Sequence, residues 1–304
     1  MKKIDMSALH LRLSGGIGNQ LFQYSAGRSL ADKLNCDLKV DLSWFYSKRN
    51  LESNISPKRS YCLNHFNNTR FILSSDYPNV IYEKERNYIR HKLQKMFGYP
   101  KHIYIEKTFP FYDSSINEVS KGMYLIGEFH SERYFKSNEK KIREDLKFTT
   151  PLNDANLELK SQILDVKNSV SIHIRRGDYL KPPFNKKLVT CTMEYYQNAA
   201  NYISDKVSSS LNFFIFSNDP EWVKKNLNLD YKFTIVDINK EDYGHFDLVL
   251  QSLCSHNIIA NSTMSWWAAW LNSNPNKIVV TPNKWYNSKR KKNSDIYQDN
   301  WIRL

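Results

Sequence analysis

"LHLRLSGGIGNQLFQYSAGRSLADKLNCDLKVD", residues 9–41, decides the fold class. Leu9, Leu11 and Leu13 alternate with polar neighbours, the period of a strand. Gly15, Gly16 and Gly18 then break the pattern and supply a turn. Phe22, Ala26, Leu30 and Leu34 recur every fourth residue, which marks one apolar face of a helix. Residues 37–41 return to the strand period. Strand, glycine turn, helix and strand in this order begin a parallel α/β sheet.

Outward from that unit the chain divides into an irregular stretch and a regular one. Residues 45–123 show no clear period and read as helices and loops, rich in tyrosine and scattered charge. "MYLIGEFHSERYF" at 123–135 predicts a strand followed by a loop and a helix. A shift in composition near Pro151 marks a boundary, so two α/β domains are expected, 1–155 and 156–304. The second half predicts strands near 169–175, 212–217, 232–238, 257–261 and 276–281. Helices are predicted near 193–206, 220–227, 244–255 and 263–273. Asp219 is placed to cap one of them, with Pro220 at its first helical position. Strict alternation of strand and helix is the signature of a doubly wound sheet.

Composition narrows the classes of partner. The chain has 304 residues, 41% of them hydrophobic, enough for one large or two ordinary cores. Lys and Arg number 44 against 31 acids, a formal charge of +13. Nucleic acid, anionic lipid or a phosphorylated small molecule would each suit that charge. The basic residues are dispersed, with one tight run at Lys289–Lys292, and no nucleic-acid-binding module is present. Nucleic-acid binding therefore stands as a remote alternative. Aromatic residues reach 14%, which suits sugar-binding surfaces or ordinary packing. Four separated cysteines without a C-x-x-C favour a reducing compartment. The amino terminus lacks the apolar core of a signal peptide, and no run approaches 18 apolar residues. A cytoplasmic protein is expected, with the basic run in peripheral contact with an anionic inner membrane face.

Three motifs fall at predicted strand ends, where ligands of open α/β sheets bind. In "SIHIRRGDY", residues 171–179, Val170, Ile172 and Ile174 alternate with Ser171, His173 and Arg175. That predicts a strand with one apolar face, ending in Gly177–Asp178 turn chemistry. A buried arginine without a partner costs several kcal/mol, so Arg175 asks for an anion from the protein or a ligand. "SGGIGNQ" matches a dinucleotide fingerprint only loosely and lacks its third glycine. Gly16 still lets backbone approach a ligand and Asn19 offers an amide, although a tight turn alone explains the glycines equally well.

In "ANSTMSWWAAWL", Ser262 can cap the helix beginning at Thr263, and the first-turn N–H groups with nearby hydroxyls form an anion cradle. A plain capped helix with a tryptophan core is the simpler account. Asp247 either complements its helix dipole or accepts the adjacent N–H donors of guanine. Cys254 with His256 is too little for a metal site, and Asp219 with Glu221 reads as helix capping. No Asp-x-Asp occurs, so a bound pyrophosphate would be neutralised by arginine and helix N-termini.

Together "GGIGNQLFQYSAGRSLA", "GEFHSERYF", "SIHIRRGDY", "FSNDPEWVKKNL", "HNIIANSTMSWWAAWLN" and "DNWIRL" resemble, in order, the α1,2-fucosyltransferases of glycosyltransferase family 11, especially the bacterial members. The resemblance runs from Leu9 to Leu304. It implies a GT-B-like architecture of two Rossmann-type α/β domains facing across a cleft. The first would be the acceptor side, and the second would bind GDP-fucose. It also implies metal independence and no cofactor besides the donor substrate. By resemblance Arg175 holds the diphosphate, while His173 and Asp178 line the donor site. Ser262, Thr263, Met264 and Ser265 match the phosphate loop, and Asp247 an acid near the base. Gly16 and Asn19 match groups near the fucose and its leaving oxygen. The acceptor would be a galactose-terminated oligosaccharide, free or lipid-linked, as in O-antigen synthesis.

Two departures stand out. Where the family often has "GYFQSE", this chain has Glu128, Phe129 and His130, and Met264 stands where many members have Phe. A β-linked donor and an α-linked product imply one inverting displacement through an oxocarbenium-like transition state. Glu128, His130, Glu132 and Asp178 are the candidate bases. Because the site is built for a ligand, replacing Arg175 is expected to spare the fold.

Overall fold

A computed structural model describes residues 5–51, 58–66, 70–73, 101–182, 184–207, 209–240, 243–288 and 295–304. The Lys289–Lys292 run lies outside them. The chain forms two compact units that divide between Lys147 and Phe148.

Among the described residues the amino-terminal unit is built on five parallel strands. They are β1 (Leu9–Arg12), β2 (Leu38–Asp41), β3 (Ile72–Leu73), β4 (Ile103–Ile105) and β5 (Tyr124–Ile126), ordered β3-β2-β1-β5-β4. The edge strands β3 and β4 lie in the stretch read from sequence as helices and loops. At two and three residues they are too short to show a period.

Helix α1 (Ile17–Leu34) follows β1 as expected but is buried nearly all round from Ile17 to Ala31, not on one face. Two polar members of that buried surface, Gln20 and Gln23, are satisfied by specific hydrogen bonds described below. The expected helix after β5 begins later than read. A 3₁₀ turn over Glu132–Tyr134 intervenes before α2 (Glu139–Asp145).

The carboxyl-terminal unit is a six-stranded parallel sheet. Its strands are β6 (Ser169–Ile174), β7 (Asn212–Ser217), β8 (Phe233–Val236), β9 (His256–Ile258), β10 (Val279–Thr281) and β11 (Ile302–Arg303), ordered β11-β10-β9-β6-β7-β8. Helix α3 (Asp154–Asp165) precedes β6, and four helices connect the strands from β6 to β10: α4 (Met193–Lys206), α5 (Pro220–Asn226), α6 (Gly244–Leu253) and α7 (Thr263–Leu271). Asp219 caps α5 through the Trp222 amide, with Pro220 opening the helix.

Strand β6 departs from the expectation of one apolar face, because all six of its residues are buried. Val170, Ile172 and Ile174 pack with Tyr196, Ala199 and Ile203 of α4. On the other face Ser171 accepts a hydrogen bond from Asn257 Nδ2 at 2.8 Å. A central parallel strand is covered on both faces, so its polar residues must find internal partners.

Both sheets reverse direction at one point. The chain runs outward from β1 through β2 and β3, then returns so that β5 lies on β1's other side. It likewise runs from β6 through β7 and β8, then places β9 beside β6. Such switch points leave a crevice at the strands' carboxyl ends. Two of the three sequence motifs flank the β6/β9 point, and the third with "GEFHSE" flanks β1/β5.

The tryptophans of α7 are core residues. Trp266, Trp267 and Trp270 of α7 are buried, Trp266 lies 5.5 Å from Trp301, and its indole N–H donates to Ile296 O at 2.7 Å. Each such ring removes enough apolar surface to contribute at most about 4–6 kcal/mol, which anchors α7 in the core. No helix among the described residues is long and apolar enough to cross a membrane.

Candidate active site

Each unit carries one cluster at its switch point. In the carboxyl-terminal unit Arg175 lies one residue beyond β6. Its Nε and Nη2 donate to the two carboxylate oxygens of Asp178 at 3.0 and 2.8 Å. The side chains are 16% and 7% exposed. The anion that the sequence demands for Arg175 is therefore Asp178, placed by the 3₁₀ turn Gly177–Leu180. This planar pairing occupies one edge of a five-donor fork. The guanidinium also lies 5.6 Å from the centre of the Tyr179 ring. Tyr179 Oη donates to Asn261 O at 2.9 Å, tying the turn after β6 to the turn after β9.

His173 is almost wholly buried, and its Nδ1 has no hydrogen-bond partner. Burial, with Arg175 nearby, pushes its pKa down to about 3. It is a neutral imidazole at pH 7. Arg176 turns elsewhere, its guanidinium 3.5 Å over the Trp222 ring and its Nε 3.7 Å from Asp219. Its backbone N–H donates to Asn218 Oδ1 at 2.9 Å. A Cβ at Gly177 would come within 2.2 Å of Asn218 Nδ2, so a side chain there would push the Asn218 amide aside.

Ser262 stands at the N-cap of α7 with extended backbone, but its side chain makes no capping bond, contrary to expectation. Ser265 is fully buried and turns its hydroxyl back to Ala260 O and Ser262 O. Thr263 and Met264 are half-buried in the first turn. Helix α6 also lacks a side-chain cap, and its first residue, Gly244, would place a Cβ 4.0 Å from Met264 Sδ. Two helix N-termini therefore lie side by side near β9's carboxyl end, where their partial charges favour an anion.

Asp247, in the first turn of α6, is not a freely solvated acid. Its Oδ1 accepts from Asn239 Nδ2 at 2.8 Å. Asn239 exchanges two hydrogen bonds with Asn156, at 2.8 and 2.9 Å. Burial pushes the Asp247 carboxyl up to about 7, against the lowering effect of Asn239.

In the amino-terminal unit Gly15 has φ +76°, a left-handed conformation, and a Cβ there would approach Asn19 Nδ2 to 2.9 Å. Gly16 is the N-cap of α1, without a side-chain cap, and Arg59 lies 3.9 Å from where its Cβ would be. Gln20 and Gln23 hold the loop. Gln20 donates to Gly15 O and Ser60 O and accepts from Cys62 N–H. Gln23 accepts from Ser14 N–H and donates to Gly127 O, joining the ends of β1 and β5. Neither glutamine was singled out from sequence, since a helical period gives polar residues no sign of burial.

Asn19 Nδ2 donates to Glu128 Oε2 at 2.8 Å. The Glu128 side chain is 42% exposed, and His130 Nε2 lies 3.8 Å from it. His130 is buried between Phe22 and Phe109, ring centres 5.0 and 5.2 Å away, and burial pushes its pKa down to about 3. Glu132 is mostly buried and lies 3.5 Å from Lys136. The loop carrying Glu128 is unusual. Phe129 has φ +52°, and Glu106 accepts the backbone N–H groups of both Glu128 and Phe129.

The chain matches glycosyl transferase family 11 over residues 2–304. An alpha-1,2-colitosyltransferase from Escherichia coli is 33% identical over 311 residues, covering 98% of this chain and 99% of the relative. The O-antigen biosynthesis glycosyltransferase WbnK, also from Escherichia coli, is 33% identical over 308 residues, with coverage of 96% and 99%. Among solved structures, Arabidopsis thaliana FUT1 in complex with GDP superposes with a TM-score of 0.54 over 91% of this chain and 70% of that one. Their 10% identity makes this a likeness of fold.

Proposed function

The chain belongs to glycosyl transferase family 11, and from that premise we propose that it transfers L-fucose from GDP-β-L-fucose to the 2-hydroxyl of a galactoside, with inversion. The product is an α1,2-linked fucosyl glycan, made for a bacterial surface polysaccharide such as O-antigen. The observation that carries this reading is the anion site at the β6/β9 switch point. There an arginine fork stands at one strand end and two helix N-termini without side-chain caps at the other. That chemistry suits a diphosphate and needs no metal, in keeping with the missing Asp-x-Asp. Asp247, when ionised, accepts the paired N–H donors of a guanine base.

In the displacement, the acceptor oxygen attacks the fucosyl C1 while the C1–O bond to the β-phosphate breaks. The departing GDP carries the new negative charge, which Arg175 and the first turn of α7 stabilise. One preorganised donor of this kind contributes about 3–4 kcal/mol to the transition state.

The acceptor proton goes to Glu128. Of the four candidate bases, Asp178 has both oxygens on Arg175, His130 is enclosed by aromatic rings, and Glu132 is mostly buried beside Lys136. Glu128 alone of the four keeps a carboxylate substantially exposed at a strand end, oriented by the Asn19 amide.

A second reading follows from the colitosyl relative: a donor carrying colitose, the 3-deoxy counterpart of fucose. Incubation with GDP-fucose or GDP-colitose and a β-galactoside, followed by NMR of the product, separates the two. An α1,2 fucosyl linkage is expected. Transfer from GDP-colitose alone would move the assignment to the second reading, and any other linkage would overturn both.

A further inference from the structure

Glu106 lies beyond β4, which among the described residues is an edge strand paired to β5, and its backbone N–H donates to Ile126 O at 2.9 Å. Its carboxylate takes three donors. Oε2 accepts from the N–H groups of Glu128 at 2.8 Å and Phe129 at 3.1 Å, and Oε1 accepts from Tyr134 Oη at 2.9 Å. Tyr134 Oη is itself fixed by the Asp113 N–H at 2.8 Å. Among the described residues no Lys, Arg or His forms an ion pair with Glu106. A carboxylate largely out of water without a cation is costly, and burial accordingly raises its pKa. The two loop N–H groups and the Tyr134 hydroxyl offset that cost.

The loop it holds is strained. A left-handed conformation costs a bulky side chain such as Phe129 about 1–2 kcal/mol, and it persists only where the surroundings over-determine it. Two features do so here. A Cβ at Gly127 would lie 2.7 Å from the Phe129 ring and 2.8 Å from Glu106 Cβ, so the turn is packed closely against Glu106. The Phe129 ring is fully buried, 5.2 Å from Tyr134 and 6.4 Å from Tyr104. The consequence is the place of Glu128, with its Oε2 against the Asn19 amide.

We propose that Glu106 is a positioning residue for the transfer reaction. It grips two successive loop N–H groups, holds Phe129 in its strained conformation and thereby aims the Glu128 carboxylate at the acceptor hydroxyl. The proposal rests on the reading of Glu128 as base. Relaxation of the loop would withdraw Glu128 from Asn19 while leaving the Arg175 cluster unchanged.

The test is a double-mutant cycle in the full chain, with GDP-fucose and a β-galactoside as substrates and a thermal melt of each variant. Glu106→Ala is expected to lower kcat by about 30-fold or more, since an ångström of misplacement can cost about 10²-fold, with the GDP-fucose KM within about threefold. Glu106→Gln keeps an oxygen for the two N–H groups and should recover most of the rate. On a Glu128→Gln background Glu106→Ala should change kcat by less than about threefold, because the route it acts through is already removed. An equal loss on both backgrounds, or full activity in Glu106→Ala, overturns the proposal.

Should Glu106→Ala not fold, Tyr134→Phe removes the third donor and the acceptor of the Asp113 N–H, and leaves both loop N–H groups on Glu106. It is expected to lower kcat about three- to tenfold with the same dependence on Glu128, and no change there would refute the role. If the wild-type chain transfers nothing from GDP-fucose, the reading of function fails by itself. A crystal structure of Glu106→Ala, or of Tyr134→Phe, then decides the positioning role. Phe129 leaving positive φ and Glu128 parting from Asn19 supports it, and an unchanged loop refutes it.

Discussion

Replacing Arg175 by lysine separates a ligand-binding arginine from a structural one. The wild-type guanidinium makes two parallel, charge-assisted bonds to Asp178 at 2.8 and 3.0 Å with little exposure. Lysine offers a point charge in place of a planar fork, so it can keep one of those bonds but cannot grip Asp178 and a phosphate together in the same geometry. Losing one charge-assisted bond in this setting costs about 1.5–3 kcal/mol of stability. Losing one preorganised donor to the leaving group costs about 10²–10³-fold in rate. Arg175→Lys is therefore expected to lower kcat/KM by about 10²-fold or more while the protein remains folded.

Arg175→Ala differs from the sequence-based expectation that the fold is spared. It takes the guanidinium away from the buried Asp178 carboxylate, which costs about 3 kcal/mol. For a unit of this size that is a fall of about 6–12 °C in Tm. Transfer kinetics with GDP-fucose, run beside thermal melts, measure both quantities. If Arg175→Lys keeps more than about a third of wild-type kcat/KM while melting lower, the loss falls far short of the donor effect. Arg175 then serves only its ion pair with Asp178, and the diphosphate reading is wrong.

The buried imidazoles of His130 and His173, both held down to about 3, make the fold sensitive to acid. The unfolded chain binds their protons near pH 6.5, so their contribution is complete above that value and is lost as pH falls toward 3. Each should remove about 2 kcal/mol between pH 7 and 5, read from urea midpoints, and a flat profile would contradict the burial. Gly15→Ala strains a φ of +76° and crowds Asn19, so it should lower both Tm and kcat by displacing the amide that orients Glu128. Unchanged kcat would detach Asn19 from the reaction. Transfer should persist in excess EDTA, and a loss above tenfold restored by Mg²⁺ or Mn²⁺ would refute metal independence. Lys289–Lys292 and the net charge predict adsorption to anionic vesicles that weakens steeply as screening shortens to about 8 Å at 0.15 M salt. Absence of binding at low salt would dismiss the membrane contact.

The sequence alone determined the parallel α/β architecture, because period 2 and period 3.6 are local properties that survive without knowledge of partners. The strands and helices of residues 169–281 lie close to where alternation puts them, and Asp219 caps α5 as its chemistry requires. The motifs at strand ends were legible for the same reason, since glycines, paired arginines and a serine before an apolar helix are each visible one at a time. Tertiary structure decided which of them meet.

Nothing in the spacing says that β9 lies beside β6, so nothing local brings "HIRRGDY" next to "ANSTMSWW". Nor does it show that Arg175 takes Asp178 as its anion or that Ser262 leaves α7 without a side-chain cap. Gln20, Gln23, Asn239 and Glu106 stayed hidden because a buried or half-buried polar residue has the same letter as an exposed one. The donors that make its burial tolerable come from other strands and loops: Cys62 for Gln20, Ser14 for Gln23, Asn156 for Asn239, Glu128 and Phe129 for Glu106. Periodicity reports which surface a residue shares with its neighbours along the chain. Hydrogen-bond satisfaction is settled across the fold, and only there do these residues acquire a role.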